Sequence, residues 1–267
     1  MVAGSVPEEG ELQLGSIRLP AGKRVHAGFE RPIPVAWITA EAVPEPGKVW
    51  AALSAARQQT GLVPFLLGHL RGQPTRPWDT AEFEPPADPG ELDEMDAAEV
   101  LAEMWDGEMP SDEEEEDEGG EELVEMRAPF GKAFPGLAPP EYTPLSPDRL
   151  DEVLGSLPAA RIGLVPASRP ADVLPLIGWT PSDQSDVLPI AAVVRSWEDR
   201  FGARLFRVGF AEFSLLVDRP PRNVGHAQRI AAEHFVFCDE CAGQGLSDIP
   251  SITANLMETP IWTFWWD

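Results

Sequence analysis

The sequence predicts an α+β fold of α/β-like character, a mixed β-sheet packed with helices, with the C-terminal strand central in the sheet. Three observations carry this. Short apolar runs alternate along the chain with segments whose apolar residues recur at helical spacing. Apolar residues make up 43% of the 267, enough for a sizeable core. The closing segment IWTFWWD is apolar on both faces of an extended chain, as in a strand covered on both sides.

In chain order, PIPVAWITA (32–40) reads as a strand entering the core. PGKVWAALSAARQQTG reads as a helix, with Val49, Leu53 and Ala56 at helical spacing and Gly61 as its stop. LVPFLLG (62–68) is a short apolar strand in which Pro64 argues for an edge or a bulge. Strand, helix and strand in this order suggest a βαβ-like unit. A short helix is expected around Met95 to Trp105, with Val100, Leu101 and Met104 on one side. The run SDEEEEDEGGEE has nothing to bury and repels itself, so no order is expected there. APFGKAFPGLAPPEYTPLSP is an extended Pro- and Gly-rich connector.

ARIGLVPA then reads as a strand. In DVLPIAAVVRSWEDRFG, Ile190, Val193, Val194, Trp197 and Phe201 form one helical face, Asp186 is the N-cap and Gly202 the stop. RLFRVGF and EFSLLVD form a hairpin around Ala211, with Phe206, Val208 and Phe210 on one face and Phe213, Leu215 and Val217 on one face. NVGHAQRIAAEHFVFC is a second amphipathic helix capped by Asn223, and IPSITANLME a third, short one. There is no strict repeat, although GLVP recurs at 61 and 163.

The net charge of −25 is local. Of the 45 acids, 22 lie between Asp79 and Glu125, a stretch without Lys or Arg, and the other 23 stand against 20 bases. The expected organisation is therefore an N-terminal α/β section (1–78), an acidic, partly disordered linker (79–127) and a C-terminal α/β domain (128–267). The N-terminus has no basic start or apolar run, and no stretch approaches ~18 apolar residues. With only two Cys, the expectation is a soluble cytoplasmic protein with reduced thiols and no membrane association. Without a basic patch, nucleic acid is not an expected partner.

The segments GLVPASRPADVLPLIGW, SWEDRFGARLFRVGF, AAEHFVFCDE and IWTFWWD resemble a bacterial family, abundant in actinomycetes, known as domain of unknown function 4253. The resemblance covers about 160–267, and VAWITAEAVPEPGKVWAALSAARQQTGLVPFLLG resembles the N-terminal part of longer members. It implies an intracellular protein with a C-terminal α/β domain and carries over no catalytic residue. The Cys238 position recurs in similar sequences and a second Cys at the position of Cys241 does not, which argues against a family-wide Cys-x-x-Cys function.

The stretch AAEHFVFCDECAG can be read as a metal site, a redox pair or the inner face of a helix. On one helix His226 and Cys241 lie ~22 Å apart along the axis, too far to share a zinc ion, and only His234 and Cys238 are one turn apart. Thiolates are favoured at helix N-termini, whereas this pair follows a helix C-terminus and encloses Asp239 and Glu240. The helix-face reading is preferred, with no metal and no cofactor expected. No G-x-S-x-G or phosphate loop is present. Glu198 and Asp199 read as a solvated face paired with Arg195 and Arg200, and the nine Trp as core. Two functional readings result. The first is a non-enzymatic protein-binding protein, possible analogues being immunity proteins, whose acidic segment attracts a basic partner. The second is an enzyme or small-ligand binder with a pocket lined by Trp197, Trp262 and Trp266 and with Glu233 or His234 as acid–base group.

Overall fold

The computed structural model describes residues 5–107, 123–181, 186–238 and 248–266. One eight-stranded mixed sheet runs through them in the order β1-β2-β3-β5-β4-β6-β7-β8. The strands are β1 (Gly10–Leu14), β2 (Ile17–Ala27), β3 (Ile33–Thr39), β4 (Leu62–Leu67), β5 (Ile162–Pro166), β6 (Ala203–Val208), β7 (Glu212–Val217) and β8 (Ile261–Trp265). The principal helices are α1 (Pro46–Thr60), α2 (Ala97–Gly107), α3 (Pro147–Gly155), α4 (Val173–Leu176), α5 (Val187–Phe201), α6 (Val224–Phe237) and α7 (Ile249–Glu258). No helix among the described residues is long and apolar enough to cross a membrane.

The expected β3–α1–β4 unit forms, with a strand inserted in it. β5 pairs antiparallel with both β3 and β4, so β3 and β4 are parallel but not adjacent. Residues 1–78 and 128–267 thus contribute to the same sheet. The two GLVP segments meet there as neighbours, with Val63 opposite Val165. Gly163 faces Phe65 across this pair, and a Cβ there would come within 2.2 Å of the Phe65 ring. Pro64 lies in an interior strand, but β6 reaches β4 only at Leu66 and Leu67. The missing N–H therefore faces an unpaired stretch, and the Pro64 carbonyl accepts from the Trp50 indole N–H at 3.0 Å.

Each sheet face has its own core. On one face α1 and α3 cover Trp37, Leu62, Leu66, Ile162, Leu164 and Phe206. On the other, α2, α5, α6 and α7 cover Val63, Phe65, Leu205, Val208, Phe213 and Leu215. The helix signals act as read: Asp186 and Asn223 accept from Leu188 N and His226 N, and Gly61 and Gly202 end their helices at positive φ. From the acidic section, Phe83, Leu92, Leu101 and Trp105 are buried. The run SDEEEEDEGGEE lies outside the described residues, as does Cys241.

Two expectations are corrected. β8 is at the sheet edge, not central. An interior strand needs a neighbour on each side, and β8 pairs with one named strand, β7. It is buried on one face only, through Trp262 and Phe264, while Thr263 is exposed and Ile261 and Trp265 are half-buried. Second, Phe206 and Val208 do not share a face. A β-bulge sets Phe206 and Arg207 together opposite Ser214, so Leu205 and Val208 face α5 and α6 while Phe206 turns to α1.

Although it is an edge strand, β8 carries core. Removal of one buried Trp or Phe side chain costs ~3–5 kcal/mol, against a typical total stability of ~5–15 kcal/mol. A chain ending at Pro260 loses Trp262 and Phe264 together and is expected to show no cooperative urea transition by far-ultraviolet circular dichroism. A transition as sharp as that of the full chain would contradict this account of β8.

Candidate functional site

Trp197, Glu233, His234 and Trp262, four of the five residues singled out above, meet where α5 and α6 pack on β8. Glu233 and His234 lie on the apolar stripe of α6, between Ile230 and Phe237, so the helix that buries the stripe buries them. The Glu233 side chain is fully buried. One carboxyl oxygen accepts from the Ala138 backbone N–H at 2.7 Å and from Arg200 Nη1 at 2.8 Å. The other accepts from Trp197 Nε1 at 2.7 Å and from Arg200 Nη2 at 2.6 Å. A carboxylate has about four lone-pair positions, and all are used.

His234 is held among aromatic rings, 4.6 Å from Trp262, 4.9 Å from Trp197 and 4.9 Å from Phe264 between centroids. Its Nε2 is buried without a hydrogen-bond partner among the described residues. Trp266 lies farther along the same aromatic layer, half-buried, stacked on Phe213 at 5.6 Å and edge-on to Trp179 at 5.7 Å. His226 does not join the group. Its Nε2 bonds the Pro139 carbonyl at 2.8 Å, and its Nδ1 lies 3.7 Å from Glu141. Cys238 ends α6, buried, and its Sγ–H donates to the Trp265 carbonyl at 3.1 Å. Among the described residues no group of three or more His, Cys, Asp or Glu is arranged to hold a metal.

None of the five candidates lines either of two clefts at the surface. The first, of about 470 Å³, opens on the sheet face that α1 and α3 only partly cover. Its floor is a cross-strand row. Leu66 pairs with Arg207, Arg207 with Ser214 and Ser214 with Thr263, so one side chain from each of β4, β6, β7 and β8 lies side by side on one face. Phe206 and Ile261 extend the apolar part of the floor, and the segment Leu157–Arg161 and His69 form walls. The Ser214 and Thr263 hydroxyl oxygens are 3.0 Å apart. Regular alternation would send Arg207 into the α5 side; the bulge at Phe206 turns it into the cleft. Residues Leu66, Arg207, Ser214 and Thr263 were not singled out from sequence. A signal exists in RLFRV, where adjacent Leu205 and Phe206 break the alternation.

The second cleft, about 500 Å³ and more open, lies beside α5, and its arginines are paired with carboxylates. Arg195 bonds Asp172 at 2.7 Å and Asp93 at 2.8 Å, and Arg169 bonds Asp199 at 2.6 Å. Glu198 is not a solvated surface group. It accepts from the Ala171 N–H at 3.1 Å, and burial raises its carboxyl above the ordinary value against the pull of Arg169.

Burial, and after it the Arg200 charge, lowers the His234 imidazole from its ordinary 6.5 to about 3. The unfolded chain takes up this proton near pH 6.5 and the folded chain near 3. The stabilisation is therefore whole above pH 6.5 and is lost as pH falls toward 3, by at most ~1.4 kcal/mol per pH unit. Urea unfolding of wild type and of His234→Leu between pH 6.5 and 4 is expected to show the wild type losing stability more steeply, by up to that amount. Equal slopes would contradict the assignment.

Residues 161–267 match the family model described as Domain of unknown function (DUF4253). The matched part spans β5 to β8 and thus holds Arg207, Ser214 and Thr263 as well as the Glu233 cluster; Leu66 and His69 come from the chain before it. No curated protein and no solved structure matches the chain.

Proposed function

We propose that this chain is a non-catalytic binding protein for a small, largely apolar ligand, held in the cleft over the Leu66–Arg207–Ser214–Thr263 row. The observation that carries the reading is the cleft itself. Its volume of about 470 Å³ falls within the usual range for ligand sites, and a few polar groups converge on an apolar floor. A general acid or base must exchange a proton with substrate within hydrogen-bond reach. The use of all four Glu233 acceptor positions, and the low-pKa imidazole of His234 among aromatic rings, favour binding over acid–base chemistry at that cluster. A bacterial, cytoplasmic setting belongs to the same proposal; a chain of 267 residues with only two cysteines fits a reducing compartment. The separate reading of a basic protein partner rests on the charge of the acidic stretch alone.

The test uses N-phenyl-1-naphthylamine, an uncharged apolar fluorophore. The wild type is expected to bind it with enhanced emission. Thr263→Trp, which fills the cleft from an exposed position on the edge strand, is expected to weaken binding at least tenfold, and Thr263→Ala to keep it. No binding by the wild type, or equal binding by a folded Thr263→Trp protein, would overturn the proposal.

A further inference from the structure

We infer that the cleft selects a small organic anion, an apolar body carrying one acidic head, an inference that rests on the cleft being a ligand site. The chain has 45 acids against 20 bases, yet the ionisable side chains lining this cleft, among the described residues, are His69, Arg161 and Arg207. No acid is among them.

The two arginines differ. Arg161 is engaged: Nη1 and Nη2 fork onto Asp79 at 2.9 and 3.1 Å, and Nε donates to the Thr39 carbonyl at 2.8 Å. Arg207 makes no side-chain hydrogen bond among the described residues. Its one ionic contact among the described residues, with Glu212, is 3.5 Å long, and 44% of its side chain is exposed. Such a length leaves the attraction weak and the donors unspent. The guanidinium fork matches a carboxylate or phosphate-like head, which charge-assisted hydrogen bonds hold more strongly than neutral ones. Gly68 leaves room for the guanidinium on this face, since a Cβ there would come within 3.0 Å of both Arg207 Nε and Glu212 Oε1. The Ser214–Thr263 hydroxyls lie next along the row and add polar contact at the head, while Leu66, Phe206 and Ile261 receive the body. A cationic ligand would meet the Arg207 guanidinium. A neutral one would leave the Arg207 donors unmatched.

A pair of probes with one body separates the inference from the reading beneath it: 1-anilinonaphthalene-8-sulfonate carries an anionic head, and N-phenyl-1-naphthylamine does not. Binding of both is measured by fluorescence titration with wild type and Arg207→Gln at low and high sodium chloride. The expected result is that Arg207→Gln weakens the sulfonate roughly tenfold or more relative to the neutral probe, and that salt weakens only the sulfonate. The ratio of the two affinities separates loss of the charge from any general change in the cleft. If the variant binds both probes as the wild type does, the anion inference falls and the apolar ligand site stands. If the wild type binds neither, both fall.

Discussion

A single carboxyl group, that of Glu233, holds one side of the molecule together. It joins three segments distant in sequence: α6, which carries it; α5, through Trp197 and Arg200; and the Pro-rich connector, through the Ala138 amide. Removing one partner of such a buried pair costs about 3–5 kcal/mol, because the other charge is left unpaired. The connector needs these partners. Its prolines lack N–H groups, and its carbonyls depend on donors from elsewhere: Arg200 serves Ala138, Arg229 serves Pro135, His226 serves Pro139 and Arg222 serves Pro144. The strap thus lies along α6, and the face beneath it is closed by Trp197, Phe237, Trp262 and Phe264.

The closure of that face leaves the other for binding. α1 and α3 cover the strands from β2 to β4, and beyond them β6, β7 and β8 expose a row of small and polar side chains on an apolar floor. One irregularity gives the floor its charge. The bulge in β6 adds a residue to the strand and directs Phe206 and Arg207 to the same side. Phe206 then packs edge-on against Trp50 at 5.0 Å, which anchors the bulge, and Arg207 is presented beside it. Packing and presentation are two results of one backbone feature.

Much of this was legible in the sequence where the determinant is local. Periodicity, caps and helix stops predicted α1, α5 and α6, because each depends on residues within a few turns. The position of β8 was not legible. Apolarity on both faces reads as a central strand, but whether a second neighbour exists is a property of chain order in the sheet. The insertion of β5 between β3 and β4 is non-local for the same reason. Four of the five candidate side chains were brought together, yet the chemistry read into two of them follows from charge, not setting. Glu233 and His234 sit at apolar positions of α6, which for a helix packed on a sheet predicts burial with a partner rather than access to substrate. The cleft went unseen because it depends on a bulge and on a cross-strand row drawn from four separate strands.

The central claim is that ligand meets the α1 side of the sheet and not the aromatic cluster on the other. Methyl-resolved nuclear magnetic resonance during titration with 1-anilinonaphthalene-8-sulfonate tests it most directly. The account predicts shift changes concentrated at the methyls of Leu66, Ile261 and Thr263, with those of Val193, Ile230 and Val236 unmoved. Changes centred on Val193, Ile230 and Val236, around Trp197 and His234, would contradict it.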